Sequence, residues 1–244
     1  RSDTLTNIDN PVVIQNEGPT GISAGYTDEA TGKTYKFNVN SQTLLGCSFN
    51  PELAYQWGLV EGNSCLWVER YDLWGSGLTL NRTPYNGRNY EYISEDPMLT
   101  NVIGREVIQG CSDKGIINGP KHMGFNDQEI NRSGVAVFMN EQKARELELR
   151  NLQQAFEGNG KPASFEGDAT KDNTYTSGAR GVMTSYNRHG AVAASANVAT
   201  MVNILQGEWG FHGYNVTDFT GVSLKAAPKE SLLAGTTNFC GFGA

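Results

Sequence analysis

Three short apolar runs of this 244-residue chain end in side chains that could take part in chemistry. Lys121 and His122 end the first run, Tyr186 and Asn187 end the second, and Asp218 ends the third. Short apolar runs bounded by glycine or turn residues predict buried β-strands. A cation, an imidazole and a carboxylate could hold hydroxyl groups and transfer protons, and an ionised carboxylate could attack an electrophilic carbon.

Helical patterns follow these predicted strands. Asn140 can cap a helix that ends at Gly158, with apolar positions at Ala144, Leu147, Ala155 and Phe156. A second helix has its apolar residues at i, i+3, i+4 and i+7, namely Val198, Met201, Val202 and Leu205. A weaker third helix is predicted over residues 225–233, and an upstream helix begins at the cap Asn50.

Strands that alternate with helices predict an α/β fold built on a parallel sheet with crossover helices. We expect a (β/α)8 TIM-type barrel, complete or partial, in a single domain over residues 1–244. An open doubly wound sheet ranks second, because no glycine-rich phosphate motif follows a strand. The carboxyl ends of barrel strands form the active-site face, so Asp218 should share one mouth with Lys121, His122 and Tyr186.

Each of these residues also has a plainer interpretation. An aspartate at a strand end often caps the next helix or makes a local turn, and this would be the first choice for an isolated Asp218. Lys121 and His122 could be a solvated loop pair. His189 is more simply a loop residue than a ligand.

Composition excludes several classes of function. The chain has 26 acidic and 19 basic residues, a net charge of -7 and no run of Lys or Arg, so a nucleic-acid partner is not expected. No apolar stretch approaches the roughly 20 residues that span a bilayer. The four cysteines include no CxxC pair and no two histidines have metal-ligand spacing, so neither a metal nor a cofactor is predicted. The compartment is not readable.

Four sequence blocks, in order, resemble motifs of glycoside hydrolase family 3. Residues 87–97, GRNYEYISEDP, are similar to the family pattern GRNxExxSEDP, and residues 121–132, KHMGFNDQEINR, are similar to KHFxxNxQExxR. Residues 182–187, VMTSYN, resemble VMxSYN, and residues 208–218, EWGFHGYNVTD, resemble EWGFxGxVxSD. The resemblance as a whole extends over roughly positions 15–240.

The resemblance implies a retaining, exo-acting β-glycosidase on a (β/α)8 barrel, with Asp218 as the catalytic nucleophile. Arg88, Lys121 and His122 match positions that hold hydroxyls of the terminal sugar, while Tyr186 lies beside the nucleophile and Met183 forms a pocket wall. The sequence after Lys121 and His122 is that of the β-glucosidase branch rather than the β-N-acetylglucosaminidase branch. The expected ligand is a β-glucoside or a short β-glucan oligosaccharide.

Two positions depart from the family pattern. Residues 16–21, NEGPTG, resemble a DGPxG turn whose aspartate holds sugar hydroxyls, but Glu17 replaces the aspartate and is longer by about 1.5 Å. Phe219 occupies a position that is often Trp, so its ring lacks an N–H donor. Both changes leave the identity of the sugar open.

A retaining mechanism needs a second carboxyl group as acid/base. In the β-glucosidase branch it usually comes from a following α/β sandwich domain, which these 244 residues do not include, so we expect this chain to be part of a larger enzyme. Glu129 is a weak candidate, because an ion pair with Arg132 explains it more simply. Alternatives are a β-xylosidase or exo-glucanase, or a non-catalytic sugar-binding barrel fragment.

Overall fold

The computed structural model describes residues 14–158, 178–219 and 228–240, and shows an α/β arrangement of short parallel strands covered by helices. One sheet joins β1 (Gln15–Glu17), β4 (Asp72–Trp74) and β5 (Ile117–Asn118), all parallel. A second joins β6 (Lys121–Met123), β8 (Gly181–Thr184) and β11 (Tyr214–Thr217), also parallel.

The two sheets come together at Gly77, which bridges to Lys121. Within the described part of the chain the strands form small sheets rather than a closed barrel. The predicted parallel pairing and the predicted strands around residues 121, 183 and 216 are confirmed. All these strands run in one direction, so their carboxyl ends lie at a common edge.

The remaining strands build loops around that edge. A hairpin joins β2 (Gly21–Thr27) to β3 (Thr34–Asn38), with a register irregularity between Gly21 and Gly25. The strands β7 (Ala136–Val137), β9 (Arg188–His189) and β10 (Val192–Ala193) form a separate small sheet. The sequence patterns did not predict the hairpin.

Helices α1 (Gln42–Cys47), α2 (Pro51–Trp67) and α3 (Pro97–Asp113) begin at capped residues. The Asn50 side chain accepts a hydrogen bond from the Leu53 N–H at 3.1 Å, which confirms the predicted start of α2. Asp96 caps α3 in the same way, accepting from the Leu99 N–H at 2.7 Å. No helix in the described ranges is both long and apolar enough to cross a membrane.

Helices α2 and α3 pack closely because each presents glycine to the other. A Cβ at Gly58 would lie 2.1 Å from the Val107 carbonyl oxygen, and one at Gly110 would lie 2.3 Å from the Tyr55 carbonyl oxygen. Neither position has room for a side chain. This contact fixes α3 against the strands, and the central apolar cluster forms beneath it.

The predicted helix after Asn140 is present but is not one regular α-helix. It consists of α4 (Glu141–Lys143), a π-helical segment (Ala144–Glu148) and α5 (Arg150–Glu157), and it ends at Gly158 as predicted. The wider π turn changes which residues face the core. Glu148 and Leu149 are buried in place of the predicted Leu147.

The second predicted helix is a π-helical segment over Ala199–Glu208. Met201 and Leu205 are buried as predicted, but Val198 is exposed and Val202 is only half-buried. Since the π-helix has more residues per turn than the α-helix, a stripe drawn at α-helical spacing does not stay on one face. The last described helix, α6, covers Pro228–Leu233, and residues 225–227 of its predicted start lie outside the described ranges.

Glu61 is a fully buried carboxyl group on α2, facing α3. Its Oε1 accepts a hydrogen bond from the Trp57 indole N–H at 2.9 Å, and its Oε2 lies 3.8 Å from the Cys111 Sγ. Burial raises the pKa of Glu61 to about 8, and these two contacts offset that effect only in part. Glu61 is therefore protonated in the folded protein at neutral pH.

We predict that Glu61→Gln abolishes a pH-dependent loss of stability. The folded-state pKa lies above the unfolded value of 4.5, so the native state holds a proton that the unfolded state releases between about pH 4.5 and 8. The stabilisation is complete below pH 4.5 and declines up to about pH 8. The amide cannot ionise, so the variant should gain stability relative to wild type as the pH rises, by on the order of 5 kcal/mol in total across this window.

Urea unfolding at pH 5, 6.5 and 8.5 measures this difference. Glu52→Gln is the matched control, because Glu52 is an exposed acid on the same helix. If the free energy of unfolding changes with pH in the same way for wild type and Glu61→Gln, Glu61 is not protonated in the folded protein.

Candidate active site

A polar cavity of about 580 Å³ opens at the carboxyl edge of the parallel strands. This volume is within the range of small-molecule sites. The turn after β1, the β2–β3 hairpin, the loop before α3 and the loop after β6 supply its walls. Its charged and titratable residues are Glu17, Arg88, Glu91, Lys121, His122, Glu129, Arg132 and Asp218.

Asp218 directly follows β11 and is largely buried. Its Oδ1 accepts a hydrogen bond from the Phe219 N–H at 2.7 Å. Its Oδ2 lies 3.3 Å from the His122 Nε2 and 3.6 Å from an Arg132 guanidinium nitrogen. One oxygen is thus anchored to the backbone, while the other faces two donors at longer distances.

The surroundings of Asp218 favour its ionised form. Burial by itself would raise the pKa of this carboxyl group. The His122 ring, the Arg132 cation and the Phe219 N–H together outweigh burial and hold the pKa of Asp218 below its usual value. Asp218 is therefore a carboxylate at neutral pH.

His122 faces that carboxylate as a neutral ring. Burial is the main reason that the pKa of His122 lies below its usual value, with Arg88 and Lys121 adding to the effect. The Asn126 amide nitrogen lies 3.0 Å from a Glu129 oxygen and 3.4 Å from the His122 Nδ1. Since a carboxylate only accepts, this amide nitrogen is the donor, which leaves Nδ1 as acceptor and Nε2–H facing Asp218.

Lys121 and His122 are neighbours in sequence, yet both line the cavity. In a regular strand, successive side chains point to opposite faces. The register of β6 against β8 shifts between Lys121 and Met123, which marks a bulge-like irregularity at this point. The irregularity places both side chains on the cavity side.

Lys121 is a buried cation between two carboxylates. Its Nζ lies 2.5 Å from a Glu17 oxygen and 3.2 Å from Glu91 Oε1. Arg88 binds Glu91 in a bidentate manner, at 2.6 Å from Nε and 2.9 Å from its terminal nitrogen. Arg88 also lies 3.5 Å from the His122 Nε2.

The loop after β6 brings Glu129 and Arg132 to the cavity. Arg132 Nε lies 3.4 Å from Glu129, so the predicted ion pair is present. The Arg132 guanidinium stacks on the Tyr186 ring, with its central carbon 4.4 Å from the ring centroid. Glu129 is also 3.7 Å from Arg88.

Three predicted site residues lie next to the cavity rather than on the wall defined above. Met183 is buried in a small cluster with Trp74 and Val216, below the strand ends. Tyr186 donates its hydroxyl to the Phe219 carbonyl, which ties the end of β8 to the segment after Asp218. The Phe219 side chain is exposed.

Glu91 and Arg132 are the site residues that sequence reasoning did not assign. Each lies three positions after an oppositely charged partner, Arg88 and Glu129 respectively. This spacing of opposite charges was the signal in the sequence by which the two residues could have been found. His189 is buried in β9, where its ring nitrogens contact Thr200 and the Gly124 carbonyl, so it supports the loop and is not a ligand in the cavity.

The arrangement combines an ionised carboxylate with fixed cations and hydrogen-bond donors in one small cavity. Such a set can hold a neutral polyhydroxylated molecule by pairs of hydrogen bonds, and can attack one of its carbon atoms. An ionised carboxylate such as Asp218 could act as a nucleophile, and a neutral imidazole such as His122 could accept a proton.

We predict that Arg132→Gln raises the pKa of Asp218, because it removes a cation 3.6 Å from Oδ2 and leaves burial unopposed by that charge. A carboxyl ¹³C NMR titration of the labelled protein measures the change. Arg105→Gln is the control, since Arg105 pairs with Glu106 away from the cavity. An unchanged or lower pKa in Arg132→Gln would show that Arg132 does not act on this carboxylate.

No family model matches the chain. In sequence it is 30% identical over 240 residues to the probable β-glucosidase J of Aspergillus fumigatus, covering 95% of this chain and 25% of that protein. It is 30% identical over 216 residues to the β-glucosidase BoGH3A of Bacteroides ovatus, covering 86% of this chain and 26% of the relative.

The fold is also that of a solved enzyme. The structure superposes on β-glucosidase 3B from Thermotoga neapolitana in complex with glucose, with a TM-score of 0.84 and 26% identity over 98% of this chain and 30% of that one. The chain spans about a quarter of the length of the curated relatives named above. Over nearly all of its own length, the chain is therefore a homologue of the β-glucosidases of glycoside hydrolase family 3.

Proposed function

We propose that this chain is the sugar-binding, nucleophile-bearing part of a retaining, exo-acting β-glycosidase. The most favoured activity is that of a β-glucosidase, which hydrolyses terminal non-reducing β-D-glucosyl residues. The observation that carries the proposal is Asp218, an ionised carboxylate beside His122 and Arg132 in a polar cavity at the strand ends. The relatives' names support the same chemistry.

In the first step, Asp218 Oδ2 attacks the anomeric carbon, and the bond from that carbon to the leaving-group oxygen breaks. The leaving group takes a proton from a general acid, and the sugar remains as an ester of Asp218. In the second step, a water oxygen bonds to the same carbon and loses its proton to the former acid. The ester bond breaks, and Asp218 returns as a carboxylate.

The cations and His122 would hold the sugar during both steps. Arg88, Lys121 and Glu17 surround the part of the cavity next to His122, where each can reach a hydroxyl group of a bound pyranose. Under this proposal Tyr186 keeps the segment after Asp218 in place, Met183 supports the floor, and Phe219 contacts the ligand from the rim.

The general acid is proposed to lie outside this chain. A retaining pair of carboxyl groups is separated by about 5–5.5 Å, and one member must carry a proton. Glu129 is held by Arg88, Arg132 and the Asn126 amide, so it serves the loop rather than a leaving group. In this family an α/β sandwich domain usually provides the acid, and we infer such a domain as a partner.

We also infer that the two parallel sheets are arcs of a (β/α)8 barrel. Their strands share one direction, the Gly77–Lys121 bridge links them, and functional side chains gather at their carboxyl ends. These features are typical of barrel enzymes. The superposition on a β-glucosidase over 98% of the chain supports the same architecture.

The identity of the sugar is a narrower proposal than the chemistry. A relative from Bifidobacterium longum named exo-α-(1→6)-L-arabinopyranosidase is also 30% identical over 226 residues. Glu17 binds Lys121 directly in the cavity, at a point where a terminal sugar would be held. A β-xylosidase or exo-glucanase therefore remains the alternative, as does a barrel that binds sugar without cleaving it.

We predict that 2,4-dinitrophenyl 2-deoxy-2-fluoro-β-D-glucoside labels Asp218 in this chain. Dinitrophenolate leaves without protonation, so this step needs the nucleophile and the sugar site but no general acid. Mass spectrometry should find one fluoroglucosyl group on the peptide that contains Asp218. Ordinary aryl β-glucosides should be cleaved poorly by the chain alone, because their leaving groups need a proton.

Asp218→Asn should abolish labelling, and Glu129→Gln should leave most of it. In the complete enzyme, Asp218→Ala should remove turnover and Glu129→Gln should retain most of it. Labelling of another residue would overturn the assignment of Asp218 as nucleophile. No labelling, with an intact fold and measurable glucose binding, would favour the non-catalytic alternative. The corresponding 2-fluoro xyloside and galactoside are tested at equal concentration, and the extent of labelling ranks the preference of the site for the three sugars.

A further inference from the structure

Glu91 is the most enclosed carboxylate of the cavity, and the proposed reaction leaves it without a role. It belongs to the short 3₁₀ turn Asn89–Glu91, directly after Arg88. Only 5% of its surface is exposed. A carboxylate this well buried needs close partners, because an unpaired buried charge is strongly destabilising.

Both oxygens of Glu91 are occupied by cations. Oε2 accepts from Arg88 Nε at 2.6 Å, and Oε1 accepts from the terminal Arg88 nitrogen at 2.9 Å. Oε1 also lies 3.2 Å from the Lys121 Nζ. Each oxygen thus already accepts from a cation, and burial leaves little of the Glu91 carboxylate open to a ligand.

The contacts explain how two flexible side chains keep one position in the cavity. Arg and Lys have many rotamers, and ordering each costs conformational entropy. A bidentate carboxylate fixes the plane of the Arg88 guanidinium and leaves its remaining nitrogen 3.5 Å from the His122 Nε2. The same carboxylate draws in Lys121, whose backbone lies on a different element, β6.

We propose that Glu91 is a positioning residue that sets the spacing between Arg88 and Lys121, and thereby the affinity of the site for the terminal sugar. This inference rests on the proposed function and deepens it. Arg88 and Lys121 would bind the ligand, whereas Glu91 acts only through them. The low pKa of Glu91, about 2 because Arg88 and Lys121 outweigh its burial, is consistent with a permanent anion.

The first experiment compares D-glucose binding by calorimetry in wild type, Glu91→Gln, Lys121→Ala and the double variant of the 244-residue chain. Glu91→Gln should weaken binding about tenfold or more, as expected for loss of a network contact. Adding Glu91→Gln to the Lys121→Ala protein should reduce glucose affinity much less than the same substitution does in wild type. One of the two cations that Glu91 positions is already absent from that protein. Glu106→Gln, which breaks an ion pair outside the cavity, should bind like wild type.

Glu91→Asp keeps the charge but shortens the side chain, so it can serve one cation well and not both. It should fold, and its glucose affinity should lie between those of wild type and Glu91→Gln. If Glu91→Gln fails to fold, Glu91→Asp carries the test. The proposal would be overturned if a folded Glu91→Gln or Glu91→Asp protein bound glucose with wild-type affinity. It would also be overturned if the fold losses of glucose affinity in the two single variants multiplied in the double variant.

A second measurement does not depend on sugar binding. Crystal structures of unliganded wild type and Glu91→Gln or Glu91→Asp should show Arg88 or Lys121 displaced in the variant. If both cations keep their positions, the positioning role is refuted. If wild type binds no glucose and takes no fluoroglucosyl label, the proposed function fails, and the crystal structures still decide whether Glu91 holds the two cations.

Discussion

The pairing of buried charge is the constraint on which this site depends. Charged groups removed from water are tolerated only when opposite charges and hydrogen bonds compensate them. Around the cavity each acid is flanked by cations, in the order Glu17, Lys121, Glu91, Arg88, Glu129, Arg132 and Asp218. The series of contacts runs from the last residue of β1 to the residue after β11, so it holds separate parts of the chain together.

Because of this continuous pairing, the side chains of the site are preorganised for ligand binding. Most of the side chains already have fixed partners, so binding of a sugar does not cost the full conformational entropy of ordering them. Hydrogen bonds to charged groups are also stronger than those between neutral groups, and a partly dry cavity strengthens them further. Neutral His122 fits this scheme, because a third nearby cation would raise the cost of burying Arg88 and Lys121.

Sequence reasoning identified the strand ends and the residues they carry, since glycine-bounded apolar runs and motif spacing are local signals. Asp218, His122, Lys121 and Arg88 meet in the cavity as expected. It did not identify the β2–β3 hairpin, whose partners depend on tertiary packing. It also missed the π-helical segments, because a hydrophobic stripe at α-helical spacing says nothing about an inserted residue. Glu91 escaped notice since its importance comes from contacts with two separate elements.

The irregular register of β6 has a consequence for how the cavity could change during evolution. A regular strand offers one side chain in two to a given face, whereas β6 offers adjacent residues of different chemistry, Lys121 and His122. Their presentation depends on one backbone feature, so an insertion or deletion there would remove both together. Side-chain replacements elsewhere on the rim can alter ligand preference independently, whereas both members of this pair depend on the same backbone geometry.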